Sequence, residues 1–324
     1  ETLSARERSG FELDRFSGRF YLVNGCMGFE EATLLTARSH VKIPYLSLVG
    51  NSWADYKDFV REVQIDGALR NSSLSTDDIA CFSPGLRDWH TLFGGIDVDF
   101  NGTVADFEPR VRSLRVGEDT FLAATAKIEG LPDVRQTLFD LDVSRLVASA
   151  DDLKRLSRDI ARKELPENLV AMLGRAGTLG VRARFRGRLS SFKLKAAVNS
   201  EVGDVDVDLA MQPLPKGRRS LRGALAARGF RLGRLLGQSR LLGNATLTAS
   251  IDGSVGRGTT DAKVEGNISQ LEFKGYTYDS LRLDGRLQNR GFDGVVTARD
   301  PALNFDFAGR VDLNDAIPRY DFTL

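Results

Sequence analysis

Histidine and cysteine, the residues that most often carry metal and acid–base chemistry, are scarce in this chain. Its 324 residues include two histidines, His40 and His90, and two cysteines, Cys26 and Cys81. So few imidazoles leave little to ligate a metal or to act as a general base near neutral pH. The cysteines form no Cys-x-x-Cys pair and no histidine cluster accompanies them, so they read as two small buried apolar residues, with a disulfide between them as the lesser alternative. Net charge is nearly absent too. Lys plus Arg, 45, almost cancels Asp plus Glu, 44, so no long-range field gathers nucleic acid or an anionic surface, and no nucleic-acid partner is expected. No run approaches the roughly 20 apolar residues of a membrane span, and no signal peptide is visible. The chain opens at Glu1 and stops inside an alternating run, Tyr320-x-Phe322-x-Leu324, which reads as a segment of something longer. Gly256-Arg-Gly258 lacks the third glycine of a dinucleotide fingerprint and there is no phosphate-loop signature, so no cofactor is expected.

Glycine, by contrast, is plentiful, at 32 residues, and much of it falls in one recurring pattern: apolar, any, apolar, any, Gly, any, apolar. It reads as Val63-x-Ile65-x-Gly67-x-Leu69, Val98-x-Phe100-x-Gly102-x-Val104, Ala183-x-Phe185-x-Gly187-x-Leu189 and Ala249-x-Ile251-x-Gly253-x-Val255. Further copies are Phe16-x-Gly18-x-Phe20, Ala262-x-Val264-x-Gly266-x-Ile268, Leu281-x-Leu283-x-Gly285-x-Leu287 and Phe305-x-Phe307-x-Gly309-x-Val311. Side chains alternate between faces along a strand, so each glycine shares a face with its apolar neighbours. Glycine inside a strand implies a bend, a bulge or a close approach to the backbone. The expectation drawn here is that these glycines sit at the bottom of a bend and leave room above them.

Residues 1–150 read as strands with loops; Asn71 to Trp89 carries turn formers and is expected to be a surface connection. A helical period follows in 151–178. Leu153, Leu156 and Ile160 recur after Asp151 and Asp152, which suit a first turn, and Pro166 opens a second helix stopped by Gly174. Alternation resumes over 179–324, with a short helical patch at Leu232, Leu235 and Leu236. Arg182, Arg184, Arg186 and Arg188 face away from Val181, Ala183 and Phe185, and are expected to pair across strands with Asp204, Asp206 and Asp208 rather than to form a phosphate ladder. Lys216-Gly-Arg-Arg-Ser-Leu-Arg222 reads as a solvated loop.

Clean alternation means antiparallel strands with one wet face and one to be covered. About 40 helical residues by periodicity cannot shield some 18 to 20 strands. Two solutions remain: two sheets pressed together, or one long sheet curled around its own apolar face. The spacing of the motif glycines is too irregular for a strict solenoid, which favours the curled sheet. The expected fold is therefore mainly β, a long curled antiparallel sheet with two short helical insertions.

Several segments resemble the AsmA-like proteins, and among them the TamB branch. They are Leu165-Pro-Glu-Asn-Leu-Val-Ala-Met-Leu-Gly174 leading into Arg184-Phe-Arg-Gly-Arg188, Gly229-Phe-Arg-Leu-Gly-Arg-Leu-Leu236, Leu242-Gly-Asn244, Lys274-Gly-Tyr-Thr-Tyr-Asp-Ser-Leu-Arg-Leu-Asp-Gly285, Phe292-Asp-Gly294 and Asp300-Pro-Ala-Leu-Asn-Phe-Asp-Phe-Ala-Gly309. Residues 11–156 resemble the looser AsmA-type region through Ser73-Leu-Ser-Thr-Asp-Asp-Ile79 and Phe139-x-Leu141-x-Val143. The family's amino-terminal anchor and carboxy-terminal domain have no counterpart here. The resemblance implies a periplasmic segment of a protein anchored in the inner membrane of a two-membrane bacterium, with a β-taco groove continuous through both β regions. It also implies phospholipid transfer between membranes or, alternatively, assembly or secretion of proteins with an outer-membrane barrel partner.

An apolar trough solvates phospholipid acyl chains without any reactive group. The residues expected to line it are Phe100, Gly102, Phe185, Gly187, Ile251, Gly253, Phe273, Leu283, Gly285, Phe305, Phe307 and Gly309. A sandwich core would use the same residues to bury one another, and alternation does not separate the two. The aspartates mostly alternate on the wet faces and none stands out as buried, so no catalytic pair is expected.

Overall fold

Unbroken two-residue alternation extends the backbone wherever the chain is not turning, and a computed structural model of the chain, describing residues 2–6, 11–80, 90–159, 164–256, 259–289, 291–312 and 319–323, is mainly β accordingly. The chain forms two compact units. The first comprises Glu1–Val170 with Gly180–Arg182, and the second Ala171–Leu179 with Ala183–Leu324.

The first unit contains β1 (Thr2–Arg6), β2 (Glu12–Val23), β3 (Cys26–Leu35), β4 (His40–Val49), β5 (Gln64–Ser75), β6 (Leu92–Gly102), β7 (Asp106–Val116), β8 (Thr120–Glu129) and β9 (Leu138–Ala148). Short helices α1 (Phe59–Glu62) and α2 (Thr76–Ile79) sit in its loops, and α3 (Ala150–Asp159) follows the last strand. Helix α4 (Glu167–Ala176) leads into the second unit. That unit contains β10 (Leu179–Arg188), β11 (Ser191–Ser200), β12 (Gly203–Leu214), β13 (Arg218–Phe230), α5 (Leu232–Leu236), β14 (Leu242–Gly256), β15 (Thr259–Phe273), β16 (Tyr276–Gln288), β17 (Gly291–Asp300), β18 (Leu303–Asp312) and β19 (Arg319–Thr323). Within each unit successive strands form an antiparallel meander.

Hairpin turns alternate between two edges of each meander. Along one of them the ladders slip by a residue, at Leu69/Ser72, Gly94/Asp97, Val111/Leu114, Ala227/Phe230 and Leu242/Ala245. A bulge sharpens twist and bends the strand that carries it, so local bending concentrates along this side, the bulged edge. Helices α2, α3 and α5 occupy loops on that edge, and small residues bury there. Ala176, Val202, Ala227 and Phe230 form one such cluster, with Leu232, Leu235 and Leu247 packed against it.

Large side chains are not enclosed in this way. Among the described residues Phe230, at 8% exposure, is the one phenylalanine found with the buried apolar residues, which are otherwise Ala, Val and Ile96. A sandwich would bury its Phe and Leu completely. Two compact globules of half this mass would together expose about 16,000 Å²; the chain exposes 20105 Å². The curled-sheet reading, not the closed sandwich, fits both observations.

Several local expectations change. Helix α4 runs through Gly174 and stops at Gly177 (φ 72°), whose N–H reaches the Leu173 carbonyl; packing of Ala176 in the buried cluster selects the later glycine. Residues 71–75 belong to β5 and 76–79 to α2, not to a surface loop, while 81–89, including Cys81, lie outside the described residues. Ile160 also lies outside them. Lys216 to Arg222 is a turn at Pro215–Gly217 followed by the start of β13.

Candidate functional site: an uncovered apolar face

Register aligns the motif residues into rows that run across strands. In the second unit Ile251, Val264, Gly285, Gly294 and Gly309 are successive partners on β14 to β18. The next row is Ala249, Gly266, Leu283, Val296 and Phe307, and the one after it Leu247, Ile268, Leu281, Ala298 and Phe305. In the first unit Leu22, Met27, Leu48, Ile65, Gly102, Phe107, Ile128 and Phe139 make a row over eight strands, β2 to β9. Directly opposed side chains lie about 5 Å apart, so each row is a continuous apolar band.

Most large residues of these rows are half-buried, while the opposite face is exposed. Phe100, Phe185, Ile251, Leu283, Phe305 and Phe307 all fall in that half-buried class. Aromatic contacts run along the same face, with Phe185 stacked on Phe192 at 5.0 Å, Phe100 5.9 Å from Phe107 and Phe20 5.1 Å from Phe29. Phe273 departs from the expectation. It ends β15 at the bulged edge, is 36% exposed and carries the Lys274 ammonium 5.7 Å from its ring centre, so it marks a rim, not a wall.

The motif glycines do share the half-buried face: Gly102, Gly187, Gly253, Gly285 and Gly309 are all intermediate in exposure. One motif glycine, Gly18, coincides with a slip of the β2–β3 ladder between Ser17 and Arg19, the kind of irregularity that bends a strand. The space above three of the mid-strand glycines is occupied. A β-carbon at Gly285 would overlap the Phe292 ring, one at Gly67 would come 2.8 Å from Phe100, and one at Gly253 would strike Ala262. Gly102 (φ 108°) and Gly187 (φ 128°) instead lie at strand ends, where the chain turns. The gaps at Gly67, Gly253 and Gly285 are filled by neighbouring side chains and backbone, whereas a β-carbon at Gly266 would meet Leu283 at an ordinary contact distance of 3.4 Å.

The polar face is laced with cross-strand ion pairs: Lys195–Asp208 at 3.3 Å, Arg222–Asp252 at 3.1 Å, and Arg286 bidentate to Asp261 at 2.6 and 2.8 Å. The expected pairing of the β10 arginines with Asp204, Asp206 and Asp208 is displaced, since β11 intervenes and its Asn199, Ala197 and Lys195 are the register partners of those aspartates.

Among the described residues two aspartates are buried, contrary to expectation. Asp152, 2% exposed, accepts from the N–H of Asp119 at 3.0 Å and from the N–H and hydroxyl of Thr120 at 2.9 Å, and pairs with Arg155. Burial works to raise its pKa, but these donors outweigh it and hold the carboxyl below the usual range. Asp300, 5% exposed, accepts from the N–H of Asp279 at 3.0 Å, the N–H of Ala302 at 2.8 Å and the Tyr276 hydroxyl at 3.1 Å. The Asp279 and Ala302 amides lower its pKa. Both carboxylates tie hairpins together and have their acceptor capacity taken up by these bonds. The Asp-Pro step at the end of β17 was the sequence signal for the second; nothing local marked Asp152.

His90 Nδ1 lies 2.7 Å from Asp77 at an exposed position. Cys26 is a free, half-buried thiol with its Sγ 3.8 Å from the Ser47 hydroxyl. Among the described residues no three His, Cys, Asp or Glu side chains cluster as a metal site, and no helix is long and apolar enough to cross a membrane. Comparison with known protein families, curated proteins and solved structures finds no match.

Proposed function

We propose that the apolar face binds phospholipid acyl chains, and that the chain is a periplasmic segment of a bridge-like lipid-transfer protein of the AsmA/TamB kind. In that reading the parent is anchored in the inner membrane and passes lipid toward the outer one. The observation that carries the proposal is the exposure pattern: rows of Phe, Leu, Ile and Val run across many strands, and their large side chains stay half-open to solvent. Contiguous apolar surface of this extent on a folded protein marks an interaction site, and acyl chains need only such a surface. The work is binding and transfer, not catalysis.

Native mass spectrometry with lipid extraction tests the proposal, on the chain purified without harsh detergent beside a Phe305→Asp, Phe307→Asp variant whose fold is checked by circular dichroism. Co-purifying phospholipid that the folded variant loses is the expected result. A lipid-free chain whose variant unfolds would make the two phenylalanines core residues and move the assignment to the alternative, a scaffold for outer-membrane or secreted proteins working with a barrel partner.

A further inference from the structure

The near-zero net charge conceals a local imbalance in the second unit. No Asp or Glu occurs between Asp208 and Asp252, a stretch that holds Lys216, Arg218 and Arg219. These three cluster at the β12–β13 turn, on the edge opposite the bulges, where Lys216 occupies the tip in left-handed backbone (φ 61°). Arg219 lies opposite Pro213 and Val255, in phase with Leu221 and Gly223, so strand alternation places it at the mouth of the apolar face. Both Lys216 and Arg219 are exposed, and neither has an ion-pair partner among the described residues. Arg218 is half-buried; its Nη2 donates to the Ser254 hydroxyl while its Nε is buried without a partner. Leu214, 38% exposed, stands beside this turn. Asp261, bidentate to Arg286, also feels the Arg218 cation across Ser254, so the cations left to the rim are Lys216 and Arg219.

We infer that this rim holds the phosphate of an anionic phospholipid head group while the acyl chain runs inward over the apolar face. The eight residue steps from Arg219 to Ala227 cover about 26 Å at ~3.3 Å each, enough for an acyl chain that fills half of a ~30 Å hydrocarbon core. Cations beside an apolar surface complement an anionic amphiphile in both parts. A zwitterionic head group would bring its own cation to the same place. The inference rests on the lipid-binding reading and names its substrate class as anionic glycerophospholipid.

The test incubates the purified chain with vesicles of equal phosphatidylglycerol and phosphatidylcholine, re-isolates it and quantifies bound lipid. Phosphatidylglycerol enriched about threefold or more is expected, with enrichment lost at 0.5 M salt. A Lys216→Gln, Arg219→Gln variant, both changes at exposed positions, should bind the same total lipid without preference. Lipid bound by the wild type without enrichment overturns the inference and leaves the lipid-binding reading standing. No lipid of either kind removes both. Saturable binding of soluble glycerophosphate, lost in the variant and without lipid enrichment, would make the rim a free-phosphate site and overturn the lipid assignment.

Discussion

Asp152 shows how a residue that sequence places at the first turn of a helix can serve a different element. Its carboxylate faces the β7–β8 turn, where it accepts two backbone amides and a hydroxyl. Replacing it with Ala leaves those buried donors unpaired, and a loss of about 2–4 kcal/mol follows, read as a lower midpoint in urea. Protonation should act in the same direction. The native carboxyls of Asp152 and Asp300 titrate below the usual carboxylate value. Their contribution is therefore complete above the unfolded pKa of about 3.9 and is lost as pH falls through the lower native values. Thermal stability should be insensitive to these two groups from pH 8 to 5 and drop below about pH 4; an Asp152→Ala, Asp300→Ala variant should show a smaller acid drop. Gly285 gives a second test. Ala there meets the Phe292 ring and should destabilise by about 1–3 kcal/mol, with partial rescue by Phe292→Leu in a double-mutant cycle. Full tolerance of Gly285→Ala would mean the ring does not lie over that glycine.

At the scale of elements, the bulges decide which face each residue meets. In β13 the apolar phase Leu221, Gly223, Leu225, Ala227 would continue at Gly229, yet Phe230 is the buried residue. One extra residue resets the phase, with Gly229 in left-handed backbone (φ 53°) donating its N–H to Thr246. Deleting Gly229 would remove the extra residue and leave Phe230 opposite Ala245 in plain alternation, so the side chain that fixes the cluster around Ala176 and Val202 is tested directly by Phe230→Ala. We expect that truncation to lower the midpoint temperature of the second unit by about 6–20 °C, since removing a buried Phe costs about 3–5 kcal/mol. Gly229→Ala, which keeps the count, should cost only about 1 kcal/mol. Equal effects from Phe230→Ala and Gly229→Ala, measured by circular dichroism melts, would show that Phe230 does not anchor the cluster. The single-turn helices α1 and α2 were not legible as elements. Helices α3, α4 and α5 were, because apolar residues at helical spacing need no tertiary partner to be seen. Their stops were not, because Gly174 and Gly177 are equivalent until Ala176 finds its cluster.

On the scale of the molecule, the large accessible surface has a calorimetric consequence. Heat capacity of unfolding tracks the apolar surface newly exposed, and these rows are already half in water. The summed unfolding heat capacity should fall below the usual 12–15 cal/mol/K per residue, and saturating phospholipid should raise the midpoints by mass action. A heat capacity at the ordinary value would argue for a closed core. The amino-acid sequence by itself determined the strands, their antiparallel order, the division into a wet and an apolar face, and the place of Phe100, Phe185, Ile251, Leu283, Phe305 and Phe307 on the latter. Those are consequences of a two-residue period, which is a local property of the chain. Only the tertiary structure decided that the apolar face stays uncovered, where the ladders slip, that Phe273 marks a rim, that Asp152 and Asp300 are buried, and that Lys216 and Arg219 stand without an ion-pair partner beside its mouth. Each of these depends on which distant residues become neighbours across a ladder, and alternation is the same whether the partner is a second sheet, an aromatic ring or water.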